Sequence, residues 1–90
     1  MATFHVPEVV RRYSAGVADV DVSGGTVAAV LDEVFERFPD LRLRVLDRDG
    51  DLYSYLVLFL DGRELARDGL METSVPDGAT VELVGAAEGG

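Results

Sequence analysis

The sequence predicts an α+β fold in which a mixed β-sheet packs on one main helix. Two early segments, residues 2–6 and 17–22, alternate between apolar and polar side chains, as half-buried strands do. Residues 27–38 place their apolar side chains on one stripe at helical spacing. Residues 55–60 form an apolar run of strand length. Ninety residues can bury one modest core, so we expect a single domain.

The first two predicted strands form a hairpin ahead of the helix. Residues 2–6 stop at Pro7, which lacks the N–H that a strand interior needs. Residues 7–13 are predicted to be a short connector that can include one helical turn, and residues 17–22 form the second strand. Ser23-Gly24-Gly25 then predicts a turn that leads into the helix.

The main helix has start and stop signals. Thr26 is a good N-cap because its hydroxyl can accept a hydrogen bond from a free N–H of the first turn. Pro39 ends the helix. Residues 41–46 can continue as a short helix, and residues 47–51 predict a polar loop.

Three further strands are predicted in the second half of the chain. Residues 53–60 predict a central strand with apolar side chains on both faces, and Asp61-Gly62 predicts a tight turn into a short strand at 63–65. Residues 80–84 predict the last strand. The order of elements is therefore β-β-α-β-β-β. Parallel pairing of the last strand with the first gives a ubiquitin-like β-grasp fold.

A predicted flexible C-terminal tail, residues 85–90, follows the β-grasp domain of residues 1–84. The tail sequence Gly-Ala-Ala-Glu-Gly-Gly has no core-forming side chain. Its last two residues lack a Cβ, so the chain end can pass through a narrow channel. Six extended residues reach about 20 Å, which is enough to enter a partner protein. A C-terminal carboxylate is ionised at neutral pH and is a poor electrophile, so it has to be activated before it can react.

The formal charge of −9 limits the kinds of partner. It argues against nucleic acid, because phosphate binding needs clustered Lys and Arg. It also disfavours anionic membrane surfaces and favours partners with basic patches, although the same charge also serves solubility. No apolar run approaches the roughly 20 residues of a membrane span, and the first residues carry no secretion signal. We therefore expect a cytoplasmic protein.

The side-chain inventory offers little catalytic or metal-binding chemistry. The chain has no cysteine, and all eight basic side chains are arginine, so it has no thiol and no lysine amine that could react with an activated carboxyl group. Asp47, Asp49 and Asp51 alternate like calcium ligands, but Leu58 stands where such a loop needs a glutamate. His5 has no apparent second ligand or base. We expect no metal site, no catalytic residue and a structural role for His5.

Several segments together resemble the β-grasp sulfur carriers. This family includes the molybdopterin synthase small subunit, the thiazole-synthesis carrier and the cysteine-synthesis carrier, and the chain looks most like the last of these. The segments that carry the resemblance are Phe4-His5-Val6-Pro7, Val9-Val10-Arg11, Gly24-Gly25-Thr26-Val27, Leu56-Val57-Leu58-Phe59-Leu60-Asp61-Gly62, Val75-Pro76-Asp77-Gly78-Ala79-Thr80-Val81 and Gly89-Gly90.

The resemblance implies a carrier and not an enzyme. A separate ATP-dependent adenylating (E1-like) enzyme activates Gly90, which then becomes a thiocarboxylate and donates its sulfur to a separate synthase. Gly89 is the flexible neighbour of the modified residue, and no cofactor is bound by the carrier itself. The tail departs from the family in having Ala87 and Glu88, where a proline-containing run is common, and Glu88 places a carboxylate next to the reacting end.

An outward-facing stripe is the predicted docking surface. If Leu56, Leu58 and Leu60 face the helix, the period of two turns the residues between them outward. The resemblance to the sulfur carriers implies that the adenylating enzyme and the sulfur acceptor dock on this sheet face and the tail. The predicted docking residues are Tyr55, Val57, Phe59 and Val84. A loop covering the stripe, or a homodimer contact, is the alternative.

Other functions fit the same residues. The chain could be an obligate small subunit of a molybdopterin-synthase-like complex, or a ubiquitin-like modifier that forms isopeptide bonds. It could also be a plain interaction module with an accidental Gly-Gly. The sulfur acceptor stays open: a cofactor precursor, an amino-acid precursor or a secondary-metabolite sugar.

Overall fold

The computed structural model describes residues 1–85. Within them lie seven strands, two α-helices and two 3-10 helices. The strands are β1 (Ala2–His5), β2 (Asp19–Val22), β3 (Gly25–Thr26), β4 (Leu56–Leu60), β5 (Arg63–Glu64), β6 (Ser74–Val75) and β7 (Thr80–Gly85). The helices are α1 (Val27–Arg37), α2 (Pro39–Val45) and the 3-10 helices Glu8–Ser14 and Leu70–Glu72. No helix among these residues is long and apolar enough to cross a membrane.

The main sheet is mixed and has five strands in the order β2-β1-β7-β4-β5. β1 and β7 run parallel, with Phe4 opposite Val81, whereas the other neighbours are antiparallel. The first and last strands therefore lie side by side at the centre of the sheet. This pairing confirms the predicted β-grasp arrangement, in which the chain between the two strands wraps across one sheet face.

The helix α1 covers that face. The Thr26 hydroxyl accepts a hydrogen bond from the Ala29 N–H at 3.2 Å, as predicted for an N-cap. Arg37 is the last residue of α1, and α2 begins at Pro39, which fits at the first helical position because the missing N–H has no partner there. The residues of α1 that enter the core are Val27, Val30, Leu31, Val34 and Phe35. They pack on inward-facing residues of the sheet, among them Phe4, Val20, Leu58, Val81 and Leu83.

The central strand begins later than predicted, at Leu56 instead of Tyr53. The Leu56 N–H donates to the Tyr53 carbonyl at 3.0 Å, so the backbone turns there. The Arg67 guanidinium donates to the carbonyl oxygens of Leu52 at 2.7 Å and of Tyr53 and Leu56 at 2.6 Å each. Arg67 thus donates to all three carbonyls, and the Tyr53 carbonyl also accepts from the Leu56 N–H, so the backbone before Leu56 is held in a turn. This arrangement explains why the strand begins later than predicted.

The connector before β2 is a seven-residue 3-10 helix, and β2 is shorter than the predicted strand at 17–22. The helix ends at Ser14, and the residue after it, Ala15, has left-handed backbone with φ of 55°. The buried Ser14 hydroxyl bridges the carbonyls of Arg11 and Val17 at 3.1 and 2.8 Å. Because Ser14 holds the chain in this compact turn, extended backbone begins only at Asp19.

A small second sheet was not predicted. β3 and β6 pair antiparallel, with Gly25 opposite Val75. The turn before β3 is held by the Glu33 carboxylate of α1, which accepts hydrogen bonds from the N–H groups of Ser23 and Gly24 and from the Ser23 hydroxyl, at 2.8 to 3.1 Å. The bond from Gly24, then those from Ser23, lower the pKa of Glu33 below its ordinary value of 4.5.

Candidate partner-docking site

The last strand delivers the chain to one end of the sheet. β7 ends at Gly85, which lies opposite Leu56 at the start of β4. Gly90, the residue predicted to be modified, lies outside the described residues. The same holds for the predicted tail residues before it, which are Ala87, Glu88 and Gly89. The structure therefore defines the surface from which the tail departs.

The open sheet face carries three of the four predicted docking residues. Val57 lies opposite Val84, and Phe59 lies opposite Glu82, across the β4–β7 pair. All three apolar side chains are half-buried, whereas Leu56 and Leu58 between them are buried in the core. Val57, Phe59 and Val84 thus form an apolar patch on the face away from α1, as the period of two predicts.

Tyr55, the fourth predicted docking residue, lies in the turn before β4 and is 50% exposed. Its ring stacks on that of Tyr53, with centroids 5.4 Å apart and an interplanar angle of 12°. The Tyr53 hydroxyl in turn donates to the Leu43 carbonyl in α2 at 3.3 Å. Tyr55 is therefore fixed at the end of the sheet beside α2. The prediction that Tyr55 belongs to the central strand was wrong, because β4 begins at Leu56.

A groove of about 460 Å³ joins Tyr55 to the end of β7; we call it the arginine groove. Its lining is mostly apolar: Pro7, Val9, Val10, Arg44, Tyr55, Leu56, Leu83 and Gly85. Val9 is 76% exposed, an unusual exposure for valine. Val9 was missed as a site residue because residues 7–13 were interpreted as a connector, and Arg44 was missed because residues 41–46 were interpreted only as a short helix. The available signal was an apolar pair, Val9-Val10, flanked by charged residues.

A second groove, of about 610 Å³, shares Pro7, Val9, Leu83 and Gly85 with the arginine groove and reaches the open sheet face. It includes His5, whose Nδ1 lies 2.7 Å from the Asp19 carboxylate. Glu82 lies beside His5 across the parallel β1–β7 pair. The Arg11 guanidinium donates to the Val6 carbonyl through Nε at 3.2 Å and Nη2 at 2.9 Å, which ties the 3-10 helix to the end of β1.

The acidic loop at residues 47–51 is stabilised by hydrogen bonds between the Asp47 side chain and the backbone of the same loop. The Asp47 carboxylate accepts hydrogen bonds from the N–H groups of Asp49 at 2.8 Å and Asp51 at 3.1 Å. Residues 1–85 contain no group of three or more His, Cys, Asp or Glu placed to hold a metal ion. The features that converge in the described structure are apolar patches and grooves around Gly85, which suit protein binding.

Comparison with known proteins finds relatives along the whole chain. No protein-family model matches. The sulfur carrier protein CysO of Mycobacterium tuberculosis is 24% identical over 90 residues, covering 98% of this chain and 97% of that protein. A chain of the Amycolatopsis orientalis BexX/CysO complex superposes with a TM-score of 0.88 at 26% identity, covering 100% of both chains.

Two further structures show the same fold. The crystal structure of Mycobacterium tuberculosis CysO has a TM-score of 0.86 at 22% identity over 97% of this chain and 100% of its own. The small archaeal modifier protein 1 of Methanosarcina acetivorans has a TM-score of 0.82 at 18% identity, covering 99% of this chain and 95% of that one. These similarities confirm the predicted fold and the predicted resemblance: this chain is a homologue of sulfur carrier proteins and has a ubiquitin-like β-grasp fold.

Proposed function

We propose that this chain is a sulfur carrier whose C-terminal glycine, Gly90, is adenylated and converted to a thiocarboxylate. The observation that supports this most is the similarity to CysO over nearly the whole chain, together with the Gly89-Gly90 end. The carrier supplies the reacting carboxyl group and a docking surface. Catalysis belongs to a separate adenylating enzyme and a sulfur-accepting synthase.

The proposed chemistry has two steps. The Gly90 carboxylate attacks the α-phosphorus of ATP, which forms an acyl-adenylate and releases pyrophosphate. Hydrosulfide then attacks the acyl carbon, AMP leaves with the carbon–oxygen bond electrons, and a thiocarboxylate and a proton remain. Adenylation is needed because a free carboxylate is a poor electrophile. The use of ATP implies a cytoplasmic reaction.

The surface around Gly85 supports this function. Residues 86–90, if extended, reach at most about 18 Å beyond the end of β7. An enzyme that binds the terminal carboxylate therefore also contacts the domain near Gly85. The apolar patch of Val57, Phe59 and Val84 suits that contact because exposed apolar patches commonly mark protein-binding surfaces.

Intact mass spectrometry tests the proposal. The purified chain is incubated with ATP, sulfide and a clarified extract of the source cells. We expect a mass gain equal to the replacement of one oxygen by sulfur, dependent on ATP. A variant without Gly89-Gly90 should gain nothing, whereas the control Glu88→Gln keeps the diglycine and should still be loaded. An unchanged mass of the natural chain across active extracts would contradict the proposal.

A further inference from the structure

Within the described residues 1–85, no arginine forms an ion pair with a carboxylate. The Met1 amino group pairs with Asp77, and the His5 ring contacts the Asp19 carboxylate, so neither of these contacts includes an arginine. Arg12 and Arg44 instead share one aromatic ring: their guanidinium carbons lie 5.6 and 4.5 Å from the centroid of Tyr13. Both arginines are exposed. A cation over a ring keeps its charge, so this cluster presents two positive charges to solvent.

The arginine cluster borders the arginine groove defined above. Arg44 lines the groove together with Val9 and Tyr55, which are 76% and 50% exposed. Leu43, next to Arg44 on α2, is 67% exposed. An apolar groove with positive charge at its rim fits an aliphatic or aromatic side chain that is followed by carboxylates.

The open sheet face has the opposite charge. Asp19 and Asp21 on β2 and Glu82 on β7 are exposed there, beside His5 and Thr3 of β1. A uniformly basic partner would match this face but would be repelled by the arginine cluster. A partner that covers both regions therefore needs acidic groups opposite Arg12 and Arg44.

The position of the groove indicates which partner this is. Gly85 lines the groove, and the five residues beyond it can extend at most about 18 Å. On the function proposed above, the adenylating enzyme is the first protein that has to bind the Gly90 carboxylate. That enzyme therefore has to lie within this distance of the groove.

We infer that the arginine groove and the Arg12–Tyr13–Arg44 cluster are a docking surface for the adenylating enzyme. This inference rests on the proposed function. The enzyme inserts an apolar side chain between Val9 and Tyr55 and places carboxylates against the two guanidinium groups. The cluster thereby contributes to the choice of partner, since a carrier with acidic residues at these positions would repel the same enzyme.

Saturation kinetics with charge-reversed carriers test the inference. The adenylating enzyme is purified by following the loading activity, and the initial loading rate is measured against carrier concentration. The double variant Arg12→Glu/Arg44→Glu should raise the half-saturating concentration at least about fivefold and leave the rate at saturation unchanged. Added salt should reduce the difference in half-saturating concentration between the double variant and the natural chain, because salt screens the charges. The control Arg63→Glu, an exposed reversal on β5 at the sheet edge, should stay within about twofold.

The outcomes separate the two proposals. A natural chain that gains no sulfur overturns the proposed function and this inference together. A natural chain that is loaded, with a double variant of equal half-saturating concentration, overturns the inference alone. If thermal unfolding shows that the double variant does not fold, the variant Val9→Asp at the exposed groove rim is measured in its place. A half-saturating concentration of Val9→Asp equal to that of the natural chain would overturn the inference.

Discussion

The two faces of the last strand use apolar residues for different purposes. Val81 and Leu83 of β7 are buried under α1, whereas Val84 on the other face stays half-buried beside Val57. The covered face stabilises the fold by removing apolar area from water. The open face retains an apolar patch that the described residues do not fully cover. Alternation of side chains thus produces two apolar surfaces, one completed within the chain and one available to a partner.

Neighbouring truncations on β7 give the largest expected contrast. Leu83→Ala should lower the free energy of unfolding by about 2–5 kcal/mol, because it removes a buried side chain and leaves a cavity. Val84→Ala should cost below about 1 kcal/mol and should mainly raise the half-saturating carrier concentration for sulfur loading. Urea unfolding of both variants, with loading kinetics alongside, measures the contrast. Equal losses of stability would show that the two faces do not differ as described.

Loss of the Arg67 side chain should have the next largest effect. Arg67→Ala leaves the carbonyls of Leu52, Tyr53 and Leu56 without their shared donor and should cost about 1–3 kcal/mol. Arg67→Lys should recover only part of this, since an ammonium lacks the planar fork that reaches several acceptors. Urea unfolding measures both, with Arg63→Ala on β5 as the control. Full recovery by lysine would refute the shared-donor explanation of where β4 begins.

A smaller effect is expected at the turn that joins the edge strand to the sheet. Asp61 has φ of 49°, and its carboxylate accepts a hydrogen bond from the Thr80 N–H at 2.9 Å. Asp61→Ala should cost about 1 kcal/mol because both the acceptor and the tolerance of left-handed backbone are lost. Asp61→Asn keeps both and should unfold at nearly the same urea concentration as the natural chain. An equal loss in the two variants would argue against this hydrogen bond.

The smallest effect is a pH dependence at Glu33, which clamps the turn before β3. The pKa of Glu33 is lowered in the folded state by hydrogen bonds from Gly24 and Ser23, so the ionised carboxylate stabilises the fold above its ordinary pKa of 4.5. That contribution is lost as the pH falls through the lower folded-state pKa. Glu33→Gln should therefore be less stable than the natural chain at pH 7, and the difference should shrink below about pH 4.5.

Urea unfolding between pH 3 and 7 measures this dependence. Glu36→Gln, an exposed change on the same helix, is the matched control. The free energies of unfolding of Glu33→Gln and the natural chain are compared at each pH. A constant difference over the whole pH range would contradict the proposed role of the ionised Glu33 carboxylate.

The sequence by itself determined the order of the main elements, the N-cap at Thr26 and the inward and outward residues of β4 and β7. These features follow from local periodicity and from residues with strong backbone preferences, such as Pro39. The similarity to sulfur carriers was also detectable at this level. Gly89-Gly90 was found by sequence alone, and its modification stays a prediction that loading experiments test.

Only the tertiary structure decided what lies around the end of β7. Val9, Arg44 and Tyr55 come from the 3-10 helix, α2 and the turn before β4, and no local pattern brings them together. The late start of β4 likewise depends on Arg67, whose donors reach carbonyls 11 to 15 residues away in the chain. Periodicity reports which way a side chain points within its own element. Grooves and long-range hydrogen bonds depend on how the elements pack, and that is set by the burial of the whole core.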